Sequence, residues 1–458
     1  MLLSTTLACV SMDGTGDSLG VEDGSDTNET TDAVHQTTGS LRLPDIASRN
    51  IVVLHVDTMR ADHLVVYGYA RNTLPRLSAR PWLAVDGAVA ASSWTLPSTT
   101  SFFTGLDIRH HDVRYVDQGT PNKWLTDTTF ASRMGDAGYA TAVFTGNVNV
   151  SVQTRITVGF DTEFSYGKSP TRDRINSVDL ADNALRFVDA LAEDTPFMLH
   201  LQPTDLHSPL APPAAYAGTF TDEVPFHAEG SSAEGQENEI RSLLLQATDP
   251  AARQHIVDAL NGVYDESMLG LDQGLESLIA GLDKRGLLAD TLVILTADHG
   301  EELDDAHDAT LGHGGNLREA TTRIPLLILT PDLAPGVVTC RMRNYDIWPT
   351  IFSAAGLDMP SGLDGVDLAL GCPESASSSL WDMSGKLMVV ATNGARSKLQ
   401  AECPAGGTRR GTNLDGAYNP SEDGDARTIF DPDAMEAAIA SHISAIEADN
   451  GGSWRHNE

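Results

Sequence analysis

Basic residues are scarce. The 458 residues carry 30 Lys and Arg against 64 Asp and Glu, a formal charge of −34. A surface so poor in cations excludes nucleic acid as a partner, because phosphate backbones are bound through Lys and Arg, and it repels anionic polymers at long range. Cysteine is rare as well: Cys9, Cys340, Cys372 and Cys403 stand in no CxxC pair, which excludes a zinc knuckle and a disulfide scaffold. Two of the late three could bridge in an exported chain, and the sequence leaves open which two. No apolar run reaches the roughly 18 residues of a membrane helix. The chain is 41% hydrophobic, enough for a sizeable core and for one large or two to three smaller domains.

The beginning is different in kind. MLLSTTLAC, with Leu7-Ala8 before Cys9, has the form of a shortened lipoprotein signal that would leave a lipid anchor on Cys9. Val10 to about Ser40 carries seven carboxylates, and Lys and Arg are absent before Arg42. Such a stretch buries too little apolar surface to offset ordering, so residues 10–45 read as an acidic tether. Export to a bacterial cell envelope, periplasm or medium follows as an expectation.

From Asn50 short apolar runs alternate with helix-period segments. Ile51–Val56, Ala140–Phe144, Phe197–Leu201, Leu292–Leu295 and Leu326–Leu329 read as buried strands, with Leu387–Val390 later. Thr126–Ala137, Asp179–Ala192 and Ala251–Lys284 read as helices. Strands apolar on both faces, separated by amphipathic helices, predict an α/β fold with a mostly parallel, doubly wound sheet covered on both sides. Its main unit spans 46–360. The Gly-, Ser- and Asp-rich text of 361–458, with a closing helix over Asp433–Ile446, reads as a small C-terminal subdomain. Glu229–Glu239 reads as an exposed acidic insertion.

Ligands in such sheets collect at the carboxyl ends of strands. The first strand ends in His55-Val56-Asp57, and Thr291–Ala297 ends in Asp298-His299-Gly300-Glu301. An isolated strand-end Asp is most often a helix cap. Two strand-end acidic loops, one with an adjacent imidazole, suit a divalent cation instead. Between them Ser93-Trp94-Thr95-Leu96-Pro97, with Gly105 as a stop, predicts a short helix whose N-terminus can receive an oxyanion. Thr95 there is either a cap or a nucleophile activated by a metal.

Taken in order, these segments resemble the sulfatase family of the alkaline phosphatase superfamily. The resemblance runs from about Asn50 to Pro360 through NIVVLHVDTMRADH, SWTLPSTTSFFTGL, GYATAVFTGNVNV, HLQPTDLHSPLAPP, TLVILTADHGEE, GHGGNLREATTRIPLLIL and RNYDIWPTIFSAAGLDMPSGLDGVDL. It implies an alkaline-phosphatase-like fold, one divalent metal (Mn, Zn or Ca) on Asp57, Asp298 and His299, and Thr95 as the nucleophile. His207 and His313 would contact the oxyanion or the leaving group. In two-metal relatives they would join Asp205 around a second ion. Asn147, Asn149 and Arg318 fall where substrate is bound.

The departures carry weight too. The family's Cys or Ser, oxidised to formylglycine, is Thr95 here, and a branched carbon cannot give the aldehyde. The Arg four residues on is Thr99, and the second Asp of the first metal loop is Thr58. The Lys and His that bind sulfate read Asn147 and Asn149, and a further Lys is Gly314. Each loss removes positive charge, so the expected activity is that of a metal-dependent hydrolase or transferase acting on a phosphodiester or phosphonate ester rather than on a dianion. Sulfuric ester hydrolysis of the arylsulfatase type is the alternative, and an inactive binding or scaffold protein is the alternative of another class. The substrate would be a small-molecule, glycan or lipid ester. Arg60 and Asp62 are expected to brace the first loop; Tyr264, Asp265 and Asp272 to be structural; His110 and His111 to lie near the pocket or in a surface turn.

Overall fold

The computed structural model describes residues 39–373, apart from 115, 118, 119, 122, 127, 166–174 and 228–231, together with strand residues 35–37, 376–381, 387–392, 398–403 and 410–412. Nine strands form the main sheet: β1 (His35–Thr37), β2 (Asn50–Val56), β3 (Leu83–Val89), β4 (Ala140–Thr145), β5 (Thr162–Ser165), β6 (Phe197–Gln202), β7 (Thr291–Ala297), β8 (Leu326–Leu329) and β9 (Gly336–Arg343). Their order is β1-β9-β3-β8-β7-β2-β6-β4-β5. Only β8 runs antiparallel to its neighbours; the other adjacent pairs are parallel. The sheet is the mostly parallel α/β architecture that the apolar runs imply.

The helices are α1 (Thr95–Thr104), α2 (Ile108–His111), α3 (Phe130–Asp136), α4 (Ser177–Asp189), α5 (Ala233–Gln246), α6 (Pro250–Lys284), α7 (Glu319–Thr322) and α8 (Ile347–Ala354). Register shows how they divide. Val53 of β2, His200 of β6 and Val143 of β4 are aligned and share one face. His55, two residues along β2, lies on that face, where it stacks on Phe102 of α1 at 4.5 Å. Trp348 of α8 joins Phe102 to Phe130 of α3 there. Phe144 points the other way and meets Phe187 of α4. Behind α4 runs α6, and their approach depends on glycine. A Cβ at Gly274 would lie 2.2 Å from Ser177 Oγ, and one at Gly281 would lie 2.5 Å from Leu185 Cδ1.

Both middle strands β2 and β7 are buried along their whole length. A strand covered on both faces has little freedom to shift, so the residues that follow Val56 and Ala297 are held rigidly. Adjacent and parallel, the two strands deliver Asp57 and Asp298 side by side.

Two expectations need correction. The acidic stretch near Glu229–Glu239 is not a loose insertion where it is described: α5 starts at Ala233 and buries Gln236, Ile240 and Leu244. Of its acidic residues Glu234 is exposed, while Glu237 and Glu239 are half-buried. The tether does not reach residue 45, because β1 pairs with β9 and Leu41 is buried, donating its N–H to Leu368 O at 2.9 Å. Residues 1–34, with Cys9, lie outside the described residues. After residue 373 four antiparallel strands follow in chain order: β10 (Ala376–Trp381), β11 (Leu387–Thr392), β12 (Lys398–Cys403) and β13 (Arg410–Thr412). Asp433–Ile446 lies outside the described residues.

Cys340 of β9 is bonded to Cys372 across 32 residues, the pairing that spacing left open. Loop-closure entropy for that separation implies about 3–4 kcal/mol of stabilisation. A C340S/C372S variant is therefore expected to lose about that much unfolding free energy in a denaturant titration, and reduction of the wild type should reproduce the loss. An unchanged midpoint in both would show that the bridge contributes nothing.

Candidate active site

At the carboxyl end of β2 and β7 three ligand atoms from Asp57, Asp298 and His299 lie within 4.8 Å of one another, all three side chains buried. The His299 ring is fixed by its Nδ1, which lies 2.9 Å from Gly300 O and therefore carries the proton. That leaves Nε2 with a lone pair, facing Asp57 Oδ1 at 3.7 Å and Asp298 Oδ2 at 3.6 Å. Three ligand atoms converge, and one of them, Asp57 Oδ1, has no hydrogen-bond partner among the described residues. Ligand atoms about 3.4 Å apart suit tetrahedral coordination at about 2.1 Å. The donor set fits a divalent cation, and among the described residues it is the single such grouping.

The electrostatics agree. Burial, reinforced by the charge of Asp57, pushes the Asp298 carboxyl well above the usual carboxylate range. Burial likewise drives His299 well below the usual histidine value, so its ring is neutral. Buried carboxylates side by side are costly until a cation joins them.

The surrounding groups orient these ligands. Asp298 Oδ1 accepts from the backbone N–H groups of His299 at 2.8 Å and Thr58 at 3.3 Å, and Oδ2 accepts from Gln202 Nε2 at 3.1 Å. Thr58 holds φ at 59°, a left-handed conformation that a branched residue adopts only under strain. Tyr264 of α6 maintains it by donating to Thr58 O at 2.7 Å and accepting from Arg60 N at 3.0 Å. Arg60 forks onto Asp62 and onto Asp305, and reaches Glu301 O at 3.0 Å. The expected Arg60–Asp62 brace thus spans both site loops. Asp265 holds His63, Tyr69 and Arg71, and Asp272 holds the backbone of Arg76 and Leu77.

Thr95 begins α1, with Pro97 in the first turn, where a missing N–H is harmless, and Gly105 in the left-handed closing position. Trp94 is the cap residue, and no side chain caps the helix. Thr95 Oγ1 instead lies 3.3 Å from His299 Nε2 and accepts from Asn147 Nδ2 at 3.2 Å. The cap reading of this threonine is thereby excluded. One turn on, Ser98 Oγ donates to Asp298 O at 2.6 Å and accepts from Asn344 Nδ2 at 2.9 Å, locking the helix to the end of β7.

His313 sits between Gly312 and Gly314, both at positive φ (84° and 74°). Its Nδ1 meets Glu301 Oε1 at 2.9 Å, and its ring lies 4.4 Å from His299 and 4.9 Å from His207. Burial lowers its pKa, but Glu301, joined by Asp57 and Asp298, outweighs burial and raises it to about 9. His207 is turned so that Nδ1 meets Ser208 O at 2.7 Å.

The remaining candidates divide. Asn147 belongs to the site, but it grips protein groups: besides Thr95 it donates to Asp57 Oδ2 at 2.5 Å. Asn149 is half-buried, and its backbone N–H donates to Asn147 Oδ1 at 2.7 Å. Asp205 does not join a second metal set. Its carboxylate accepts from Ser177 N and Oγ, at 2.9 and 2.8 Å, at the start of α4. Arg318 precedes α7 and is committed to Asp308 and Glu302. His111 is buried, accepting from Val113 N and so donating through Nε2 to Ser101 at 2.9 Å, while His110 meets Asp364. Sequence reasoning missed Gln202, Ser98, Asn344 and Glu301, although Gln202 ends a buried apolar strand and carried the same signal as Asp57.

The profile of the Sulfatase family matches residues 49–357. An arylsulfatase of Clostridium perfringens is 23% identical over 378 residues, covering 70% of this chain and 77% of its own. The mouse steryl-sulfatase is 33% identical over 124 residues, 24% of this chain and 20% of its own length. Among solved structures, a phosphonate monoester hydrolase of Agrobacterium radiobacter superposes with a TM-score of 0.64 at 18% identity, covering 87% of this chain and 95% of that one. That likeness is one of fold.

Proposed function

Because the chain belongs to the sulfatase family, we propose that it hydrolyses a singly charged phosphodiester or phosphonate monoester through a covalent Thr95 intermediate, with a divalent cation held by Asp57, Asp298 and His299. One observation carries this reading: a threonine hydroxyl unused as a helix cap stands 3.3 Å from the imidazole of a buried cluster of two carboxylates and a histidine whose ligand atoms lie within 4.8 Å of one another. A bound cation would supply the positive charge that lowers the hydroxyl pKa and attracts a nonbridging oxygen.

The chain's own residues account for the rest. Asn147 aims the Thr95 oxygen, which attacks phosphorus in line as the bond to the leaving oxygen breaks. The first N–H groups of α1 face the developing oxyanion. His313, protonated through its pairing with Glu301, gives the leaving oxygen its proton, and His207 borders the same side. Thr95 gives its proton up to solvent as it attacks; water then attacks phosphorus, returning a proton to His313, and Thr95 takes a proton back from solvent as its bond to phosphorus breaks. The second cation drops out of this account because Asp205 is engaged elsewhere.

Charge separates the substrates. A phosphate monoester brings two negative charges to a pocket where Asn147, Asn149, Thr99 and Gly314 replace the family's cations. Sulfate monoesters carry one charge and remain the second reading, favoured by the likeness to an arylsulfatase over most of its length. Against them stands Thr95, whose branched carbon excludes the aldehyde. The Cys340–Cys372 bridge supports export to an oxidising compartment.

A panel of nitrophenyl sulfate, phosphate monoester, phosphate diester and phosphonate, each with Mn²⁺, Zn²⁺ or Ca²⁺, tests the proposal. Diester or phosphonate is expected to exceed monoester by at least about tenfold in kcat/KM, roughly 1.4 kcal/mol of transition-state discrimination. A best rate on sulfate would transfer the assignment to the second reading.

A further inference from the structure

Helix α5 is docked firmly beside the site. Ser232 caps it by accepting from Gly235 N at 3.1 Å. Gln236 accepts from Leu210 N at 2.6 Å and donates to Leu210 O at 3.1 Å, so one amide joins the helix to the segment that carries His207. Glu237, the next residue, then lies over the His313 loop. A Cβ at Gly312 would stand 3.1 Å from Glu237 Oε2 and 3.3 Å from its carboxyl carbon. Glycine at 312 leaves room for that carboxylate.

The groups acting on Glu237 come from each element around it. Burial and then the charge of Glu301 push its carboxyl above the usual carboxylate value, while His313, His207 and Arg241 pull the other way, Arg241 least. Arg241 already donates to Asn238 at 2.9 Å. His313 is paired with Glu301. Asp57 and Asp298 would share the cation. Glu301, Asp57 and Asp298 thus each have a positive partner on this reading, and the half-buried Glu237 has no ion pair among the described residues. A substrate anion entering this site adds a negative charge near a carboxylate that no ion pair holds.

We infer that Glu237 is a specificity-determining residue that binds a positively charged ammonium group on the organic part of the ester, so that the preferred substrate is a zwitterion. The inference rests on the ester-hydrolase reading above. It names what the missing cations of the pocket leave for the substrate to bring: Glu237 takes the ammonium on the leaving-group side, next to His207 and His313, while the anionic centre faces Thr95. Carboxylate and ammonium in a half-dry cleft attract more strongly than in water, and the attraction weakens with salt.

The test uses two ethyl phosphodiesters that differ in one atom, the 2-(trimethylammonio)ethyl ester and its neutral 3,3-dimethylbutyl isostere, with alcohol release measured for wild type and E237Q. Wild type is expected to prefer the charged ester by about tenfold in kcat/KM. E237Q should bring that ratio close to one through loss on the charged ester. The wild-type preference should also shrink severalfold between low and high ionic strength, a reading that needs no variant. Equal rates on the two esters in wild type, or a ratio unchanged in E237Q, would overturn the role of Glu237. Failure of wild type to hydrolyse either ester with any cation would overturn the hydrolase reading instead.

Discussion

Replacing Thr95 by alanine is expected to lower kcat by about a thousandfold or more, the usual loss when a covalent nucleophile is removed. KM should change little, because oxyanion contacts from the start of α1 and the His207–His313 side persist. Metal content should also persist, since Thr95 lies beside the ligand trio rather than within it. Stability should fall by less than about 1 kcal/mol: the Asn147 amide that loses Thr95 still holds Asp57. T95S keeps a hydroxyl at the same atom and should retain activity within about tenfold of wild type, apart from freedom gained at χ1. The contrast between T95A and T95S, read in kcat and metal content together, separates a nucleophile from a structural hydroxyl. Similar rates in T95A and wild type would remove the assignment.

Asp298→Asn should act in opposite directions on the metal-free and metal-loaded protein. Burial and the charge of Asp57 disfavour ionisation of Asp298 in the fold. A carboxyl whose folded pKa is raised stabilises the fold at low pH, and that stabilisation is lost as pH rises from the unfolded value through the folded one. At neutral pH the metal-free wild type therefore bears a penalty that D298N lacks, and chelated D298N should melt above chelated wild type, by on the order of a few kcal/mol. With metal the order reverses. Wild type gains about 2.7 kcal/mol at a hundredfold excess over Kd, while D298N, short of one charged ligand, gains little and turns over no ester. Thermal melts with chelator and with Mn²⁺ or Zn²⁺ measure both halves. A wild type indifferent to every divalent ion would favour an inactive scaffold.

Strands that cross the middle of the sheet were the legible ones, because burial on both faces forces continuous apolar runs such as Ile51–Val56 and Thr291–Ala297. Toward the edge the signal fades. LAVDGAV of β3 contains Asp86 and Gly87, and Asp86 is there to meet Arg323; β9 alternates buried with half-exposed positions and reads as ordinary polar text. Helix α5 was misread for the same reason, since its buried stripe is only Gln236, Ile240 and Leu244. In the site, strand-end position identified Asp57, Asp298 and His299. It could not tell which way a loop residue turns: Asp205, two residues from His207, faces α4. Nor could it show that the amides of Asn147 and Gln202 grip the carboxylates of Asp57 and Asp298, because those partners lie 90 and 96 residues away in the chain.

Mass spectrometry of acid-quenched turnover reads the central step itself. With a phosphonate or diester substrate and a divalent cation, the peptide spanning Thr95 should gain the mass of the transferred alkylphosphoryl or alkylphosphonyl group, and the same peptide from T95A should gain none. Rapid turnover with that peptide unmodified at every quench time, or with the added mass on another residue, would contradict a threonine nucleophile.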